Sequence, residues 1–251
     1  MSKSRIPSEF AYQLLALLAA VIVVHAFYVG LIRPSADVQL AAQAALQASG
    51  EAFVPKRSLF VVIRDFEQEA CFILMIWALA IMGLKAWMTR QETVMLEKNL
   101  IQVNDGTTLL PQDARSYARS IEALPDNEQE LLLPRTLLNA LSRFSTTGSI
   151  PAVSEAVREQ CDIEADKLDS GLSMVRYISW AIPSIGFIGT VRGIGDALGQ
   201  AYKAVEGDIS GVTVSLGVAF NSTFVALVLS IIIMFALHQL QLSQERLVLS
   251  T

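Results

Sequence analysis

Two apolar stretches in the C-terminal part of the chain carry polar side chains that a simple membrane anchor does not need. Residues 183–199 read PSIGFIGTVRGIGDALG, and residues 217–237 read GVAFNSTFVALVLSIIIMFAL. Polar and ionisable groups at membrane depth are costly, so they are candidates for function. The polar members are Thr190, Arg192 and Asp196 in the first stretch and Asn221, Ser222 and Thr223 in the second.

The two threonines indicate a path for an ion or for water. Thr190 and Thr223 each lie in the middle of an apolar stretch, and we expect the stretches to form an antiparallel hairpin. A hydroxyl both donates and accepts hydrogen bonds and carries no charge that would trap an ion. The pair, with Asn221 and Ser222 beside it, can line a polar path. The alternative is that each hydroxyl bonds a carbonyl of its own helix.

The charged residues of the first stretch have two interpretations. Arg192 and Asp196 are four residues apart and can pair on one helix face. They form either a self-neutralised pair near the outer end of the helix or a charge pair at the mouth of a pore.

Small residues crowd the same stretch. Gly189 and Gly193 form a G-x-x-x-G motif, and Pro183 and Gly186 precede it. Small residues let helices approach closely in lipid, so we expect this face to pack against like subunits in a homo-oligomer. The glycines are not a nucleotide loop, because no strand precedes them and no G-K-S/T follows.

The composition indicates an integral membrane protein. Of 251 residues, 53% are hydrophobic and 17% are charged, whereas soluble domains carry about a quarter charged residues. A net charge of −5 gives no basic surface for nucleic acid. Two cysteines and two histidines show no metal-ligand spacing, and the apolar stretches contain no catalytic arrangement. We therefore expect no metal, no cofactor and no enzymatic activity.

The hydropathy pattern predicts an all-α membrane protein with four transmembrane helices and a helical cytoplasmic domain between the second and third. The first helix is expected to end at Arg33–Pro34, and Pro151 to open a helix that continues into the third span, with Ser154 as its N-cap. The predicted segments are a tail with span one (1–32), a periplasmic loop (33–69), span two (70–88), the cytoplasmic domain (89–176), span three (177–202), a short periplasmic loop (203–211), span four (212–240) and a cytoplasmic tail (241–251).

Basic residues near the span ends set the predicted orientation. Lys3 and Arg5 precede span one, and Arg90 and Arg176 flank the central domain, whereas the loop 203–211 has only Lys203. Because cytoplasmic flanks are enriched in Lys and Arg, both termini and the central domain are placed in the cytoplasm. The basic residues of the loop 33–69 argue against this orientation.

Two motifs resemble the MotA/TolQ/ExbB family of ion-channel subunits. Residues 183–193, PSIGFIGTVRG, are similar to the family pattern P-x-x-G-x-x-G-T-V-x-G. Residues 219–227, AFNSTFVAL, are similar to its second small-residue and threonine pattern. The resemblance covers about residues 150–240 and places Thr190 and Thr223 at the family's paired pore threonines.

The resemblance implies a motor subunit of the bacterial inner membrane. It implies a homopentamer around two copies of a single-span partner similar to MotB, TolR or ExbD, whose membrane aspartate carries the ion. The ion is H⁺, with Na⁺ as the alternative, and its passage is coupled to mechanical work across the envelope. Apart from Asp196, no carboxylate lies inside the predicted spans, which agrees with a titrating group supplied by a partner.

The branch of the family stays open, as does the work it performs. Val218 stands where the TolQ and ExbB branch carries a glutamate, and no proline follows in the last span around Ile232. Four predicted spans are similar to flagellar MotA, whereas TolQ and ExbB have three. A non-conducting membrane scaffold, in which the threonines only pack, is the alternative function.

Overall fold

The computed structural model describes residues 6–48, 58–98, 100–101 and 110–251. Within these ranges the chain is helical and contains no strand, which agrees with the predicted all-α class. The helices are α1 (Ile6–Phe27), a π-helix (Tyr28–Ile32), α2 (Arg33–Ala48), α3 (Leu59–Val62), α4 (Phe66–Leu96), α5 (Ala114–Glu122), α6 (Asp126–Gln129), α7 (Leu132–Thr147), α8 (Ile150–Ser170), α9 (Ser173–Gly199), α10 (Ala201–Val205) and α11 (Ser210–Leu249).

The chain divides into two compact units. The first comprises Met1–Met82 and Met174–Leu237, and the second comprises Gly83–Ser173 and His238–Thr251. Helices α4 and α11 contribute residues to both units. The predicted site residues all belong to the first unit.

The N-terminal helix is longer than the sequence pattern predicts. The expected end at Arg33–Pro34 is wrong, because the chain passes through the π-helix and continues as α2. Pro34, which has no N–H to donate, lies just after the π-helical turn, where the regular α-helical hydrogen-bond pattern is already interrupted. Val24, Tyr28 and Ile32 form a buried cluster along this helix, packed against hydrophobic residues of α3 and α4 and of the turn between them (Phe60, Ile63, Phe72 and Ile73).

Helices α9 and α11 form the antiparallel hairpin that the sequence predicts. The connection contains α10 and a tight turn at Gly207, whose φ of 98° is one that residues with a side chain rarely adopt. The turn is closed by the Asp208 amide, which donates to the Lys203 carbonyl at 2.9 Å.

Three helical segments of the described chain are long and apolar enough to cross a membrane. They are Glu9–Gln43, Phe66–Leu96 and Ser210–Leu249. Helix α9, the predicted third span, is not among them, because glycines and the charges of Arg192 and Asp196 reduce its hydropathy. Its outward face is nevertheless strongly apolar, with Trp180 70% and Phe187 64% exposed.

The second unit is built from the part of α4 after Met82, from α5 to α8 and from the end of α11. Helix α7 begins where the Leu132 amide donates to the Glu92 carboxylate at 2.7 Å, a favourable charge at a helix N-terminus. It ends at Gly148, whose φ is 59°.

Helix α8 differs from its predicted form at both ends. It begins at Ile150 after the N-cap position Ser149, so Ser154 lies inside the helix and Pro151 in its first turn. It does not continue directly into α9, because Gly171 and Leu172 form a turn between the two. Glu164 of α8 is a buried carboxylate, and it is hydrogen-bonded to Arg135 and Lys167.

Some predictions fall outside the described residues. These residues include 1–5 and 49–57, and with them Lys3, Arg5, Lys56 and Arg57, on which the orientation partly rests. The four spans, the cytoplasmic placement of residues 89–176 and the periplasmic placement of the loops stay predictions.

Candidate functional site

The hairpin brings the two predicted threonines into contact. The hydroxyls of Thr190 and Thr223 are hydrogen-bonded to each other, although the residues are 33 positions apart. Thr190 Oγ1 lies 3.0 Å from the Ala219 carbonyl and 3.3 Å from that of Gly186. Thr223 Oγ1 lies 3.1 Å from the same Gly186 carbonyl. The pair therefore bridges α9 and α11 and is not confined to bonds within one helix.

The two hydroxyls have more acceptors than protons. Each hydroxyl carries one proton and two lone pairs. If Thr190 donates to Thr223, Thr223 can donate to Gly186, and the Ala219 carbonyl is then left without the Thr190 proton. If both hydroxyls donate to carbonyls, no proton lies between their two oxygens. An arrangement with such alternatives can reorient when an ion or a water molecule approaches.

Close approach of the helices depends on glycines. A Cβ atom added to Gly186 would lie 2.4 Å from Ala226 Cβ, and one on Gly189 would lie 2.5 Å from Ser222 Cβ. On Gly193 it would meet both the backbone nitrogen and the Cβ of Ala219 at 2.8 Å. The expectation that this face packs against a second copy of the chain is wrong, since its partner is α11 of the same chain. Pro183 lies inside α9, one turn before Gly186.

The second glycine pair is different. Gly195 and Gly199 are on the same helix, but an added Cβ at either would meet nothing within 4 Å. Their spacing repeats G-x-x-x-G, yet within this chain it does not produce a close helix contact.

Asn221 and Ser222 do not share one environment. Asn221 and Thr223 line a groove together with Val62 and three apolar residues of α11 (Phe220, Phe224 and Leu227). Ser222 is buried instead, with its hydroxyl donating to the Val218 carbonyl at 3.0 Å. Thus Asn221 and Thr223 are accessible from one side of the hairpin, and Ser222 fills the space beside Gly189.

Arg192 is paired differently from the prediction. Its Nε lies 2.7 Å from Glu67 Oε1 and its Nη2 lies 2.9 Å from Oε2, a bidentate ion pair across 125 residues. The pair predicted between Arg192 and Asp196 is therefore replaced by one between α9 and α4. Asp196 lies one turn further along α9 and is exposed.

Three consecutive residues at the start of α4 contact five other helices. Glu67 binds Arg192 of α9. Gln68 is fully buried and donates to the Ser222 hydroxyl at 3.3 Å and to the Val62 carbonyl at 3.2 Å. Glu69 is bonded to His25 of α1 and to Arg33 of α2. This segment, residues 67–69, fastens the hairpin and the N-terminal helix to α4.

Sequence reasoning missed this segment. Glu67, Gln68 and Glu69 lie just before the predicted second span and read as loop residues. The available signal was three polar residues directly before an apolar run, with Arg192 inside another span requiring a counter-charge. Nothing in the local sequence identifies which carboxylate supplies it.

The chain was compared with known families, proteins and structures. Neither a curated protein nor a solved structure matches it. Residues 128–251 match the model of the MotA/TolQ/ExbB proton channel family, a range that contains both threonines, the buried glycines and the whole α9–α11 hairpin. This family is of the channel type and is not a known enzyme family. The resemblance read from residues 183–193 and 219–227 is confirmed, and through its C-terminal half this membrane protein belongs to the MotA/TolQ/ExbB proton channel family.

Proposed function

We propose that the chain is an ion-conducting motor subunit of the bacterial inner membrane, which couples ion-motive force to mechanical work. The observation that carries the proposal is the hydroxyl contact between Thr190 and Thr223 across the α9–α11 hairpin. The contact lies at the two positions where the family resemblance expects pore threonines. The transported ion is H⁺, with Na⁺ as the alternative.

Helix α9 is proposed as a further membrane span, the third in chain order. Its Arg192 is neutralised by Glu67, and Gly186, Gly189 and Gly193 are covered by α11. Its exposed face carries large apolar side chains such as Phe187 and Ile188. Both features suit a helix surrounded by other helices and lipid.

The assembly is proposed from family membership. Five copies of this chain would surround two helices of a single-span partner, whose membrane aspartate carries the ion. Within the described spans, the carboxylates near the threonines are already held by cations, as Glu67 is by Arg192 and Glu69 by Arg33. An ion-carrying carboxylate with freedom to titrate is therefore better supplied by a partner.

A non-conducting scaffold is the second candidate. The observation that favours it is the set of hydroxyl contacts with the Gly186 and Ala219 carbonyls, which is what purely structural threonines would make. Under this proposal the hairpin only holds the assembly together.

Reconstitution separates the two candidates. The chain is co-expressed with a neighbouring-gene product that has one membrane span with an aspartate, and the purified complex is placed in vesicles. Conduction predicts ion flux that requires both proteins and is lost when the partner's membrane aspartate is replaced by asparagine. A stable complex without flux would support the scaffold and overturn the motor proposal.

A further inference from the structure

The start of α4 lies against the α9–α11 hairpin beside the threonine pair. A Cβ atom added to Gly189 would lie 2.5 Å from Ser222 Cβ and 3.2 Å from Glu67 Cγ. Side chains of α11 and α4 thus meet at one glycine of α9, and that glycine directly precedes Thr190. Three helices of the first unit therefore converge at this point.

Two consecutive residues of α4 each bind one helix of the hairpin. Glu67 accepts two bonds from the Arg192 guanidinium, at 2.7 and 2.9 Å, and Gln68 donates to the Ser222 hydroxyl at 3.3 Å. Both attachment points adjoin the threonine pair, because Arg192 comes two residues after its α9 member and Ser222 directly before its α11 member. Together with the contact between the threonine hydroxyls, these bonds close a ring through α9, α4 and α11.

The geometry of these bonds restricts how the two helices can turn or slide. Hydrogen bonds weaken steeply as they depart from linearity, and a bidentate guanidinium–carboxylate pair sets two such angles at once. Neighbouring residues of a helix project about 100° apart, so Glu67 and Gln68 can hold two different helices from one place on α4. Gln68 is fully buried and the Glu67 side chain is 12% exposed, so water has little access to either group.

The threonine pair needs such support from outside. Its hydroxyls have several alternative hydrogen bonds, to each other and to two carbonyls, so the pair does not fix its own geometry. Groups that act on a ligand generally have to be held within about 0.5 Å of their working positions by the residues around them. The ring through α4 supplies this support.

We propose that Glu67 and Gln68 are positioning residues that hold Thr190 and Thr223 in contact, and that the ion path depends on them. The dependence of the ion path rests on the proposed function, whereas the holding of the contact does not. Both residues lie outside 128–251, the range that matches the family model, so family membership assigns them no role.

A nearby carboxylate separates positioning from simple charge balance. Asp196 lies four residues after Arg192 on α9 and can pair with it when the partner on α4 is changed. Glu67→Gln removes the charge and one of the two acceptor oxygens at this position. The variant therefore loosens α9 from α4 without removing every carboxylate that Arg192 can reach.

Disulfide formation between cysteines at the two threonine positions measures their contact. The detergent-solubilised full chain carries Thr190→Cys and Thr223→Cys, with the two native cysteines replaced by alanine. After addition of a mild oxidant, the remaining free thiols are labelled with a maleimide and counted by mass spectrometry over time. Because the two hydroxyls are in contact, sulfur atoms at these positions should oxidise readily when α4 is unchanged.

Single changes on α4 give the first comparison. Glu67→Gln and Gln68→Leu should each slow disulfide formation about tenfold, because a small displacement of reacting groups is costly. Glu69→Gln is the matched control, since Glu69 is a buried, ion-paired carboxylate of the same segment whose partner Arg33 lies on the N-terminal helix. It should leave the rate unchanged. Equal rates for Glu67→Gln and Glu69→Gln would overturn the proposal.

Exchanging the two charges separates positioning from a loss of folding. Glu67→Arg and Arg192→Glu should each slow the reaction when made alone. Combined, they restore a guanidinium–carboxylate pair between α4 and α9, and the rate should return to within about threefold of the unchanged background. A double variant that is folded by circular dichroism but reacts as slowly as the single variants would contradict the proposal.

Ion flux connects the positioning with the proposed function. In vesicles that hold the chain and its single-span partner, Glu67→Gln should lower flux about tenfold, whereas Glu69→Gln should not change it. If the unchanged protein does not conduct, the proposed function fails, while the disulfide rates still decide whether α4 holds the threonine pair. Full flux from Glu67→Gln despite slowed disulfide formation would overturn the dependence of the ion path on α4.

Discussion

Two hydrogen bonds from Gln68 hold together residues around the groove that Thr223 lines. Gln68 donates one bond to Ser222, the neighbour of Thr223, and another to the Val62 carbonyl, while Val62 lines the same groove as Thr223. The Gln68 amide therefore connects α3 and α11 beside this groove. Its own Oε1 is buried with no hydrogen-bond partner among the described residues, a cost that a functional role or a bound water would explain.

Replacing Gln68 by Leu should destabilise the first unit. The change removes both donors and leaves the Ser222 hydroxyl and the Val62 carbonyl without them, which costs about 1–3 kcal/mol. Thermal unfolding in detergent measures the loss.

A double variant tests the Gln68–Ser222 bond itself. When Gln68→Leu is combined with Ser222→Ala, the loss of stability should be smaller than the sum of the two single losses, because both changes act on one bond. The pair Gln68→Leu and Thr213→Val, which share no partner, should be additive. Equal additivity in both pairs would show that the Gln68–Ser222 bond contributes nothing.

At the scale of helices, the approach of α9 to α11 is the feature most sensitive to substitution. Gly193 lies directly against the backbone of Ala219, whereas Gly195 on the same helix faces open space. The two glycines therefore form a matched comparison within one element.

Gly193→Ala should destabilise the hairpin by about 1–3 kcal/mol, because the new methyl group overlaps backbone that cannot move away cheaply. Gly195→Ala should be neutral or slightly stabilising, since alanine is the better helix former. Circular dichroism during heating of the detergent-solubilised protein compares the two. Similar melting temperatures for both variants would mean that the helices are not in close contact at Gly193.

The second unit contains a carboxylate with its own pH dependence. Burial alone would raise the pKa of Glu164, but hydrogen bonds from Lys167 and Arg135 hold that pKa below its usual range. Because the folded-state pKa is lowered, the stabilisation is present above the unfolded value of about 4.3 and is lost as pH falls through the lower, folded value.

Glu164→Gln should therefore lower the stability of the second unit at neutral pH by about 2 kcal/mol and reduce its loss on acidification. Chemical unfolding at pH 7 and at pH 4 measures both effects. Glu159→Gln, an exposed carboxylate on the same helix, is the control and should change neither. If the two variants behave alike, the Glu164 contacts are not stabilising.

The helices could be predicted from the sequence more readily than the contacts between them. Hydropathy and a local motif were sufficient to locate the α9–α11 hairpin and its two threonines, because both signals are confined to short segments. The Arg192–Glu67 pair, 125 residues apart, has no local signal, so the sequence pattern favours the i, i+4 partner Asp196 instead. The π turn was missed for a related reason. The turn lies between His25 and Arg33, which both contact Glu69, a residue of another helix.

For the whole molecule, topology decides which side of the membrane each group faces. We expect residues 89–176 to be cytoplasmic, since basic residues flank this segment. A reporter fused near Asn127 should be active only in its cytoplasmic form. Activity of a periplasmic reporter at the same position would reverse the proposed orientation, although it would leave the hairpin geometry unchanged.

Ion flux through the threonine pair tests the central claim most directly. The chain and its single-span partner are placed in vesicles, with Thr190 and Thr223 both changed to Val or both to Ser. Valine keeps the shape and removes the hydroxyl, whereas serine keeps the hydroxyl. Thr213→Val is the control, because that hydroxyl bonds the Ile209 carbonyl of the turn preceding it. We expect the double Val variant to assemble but lose flux, while the double Ser variant and Thr213→Val conduct. Wild-type flux from the double Val variant would contradict the account.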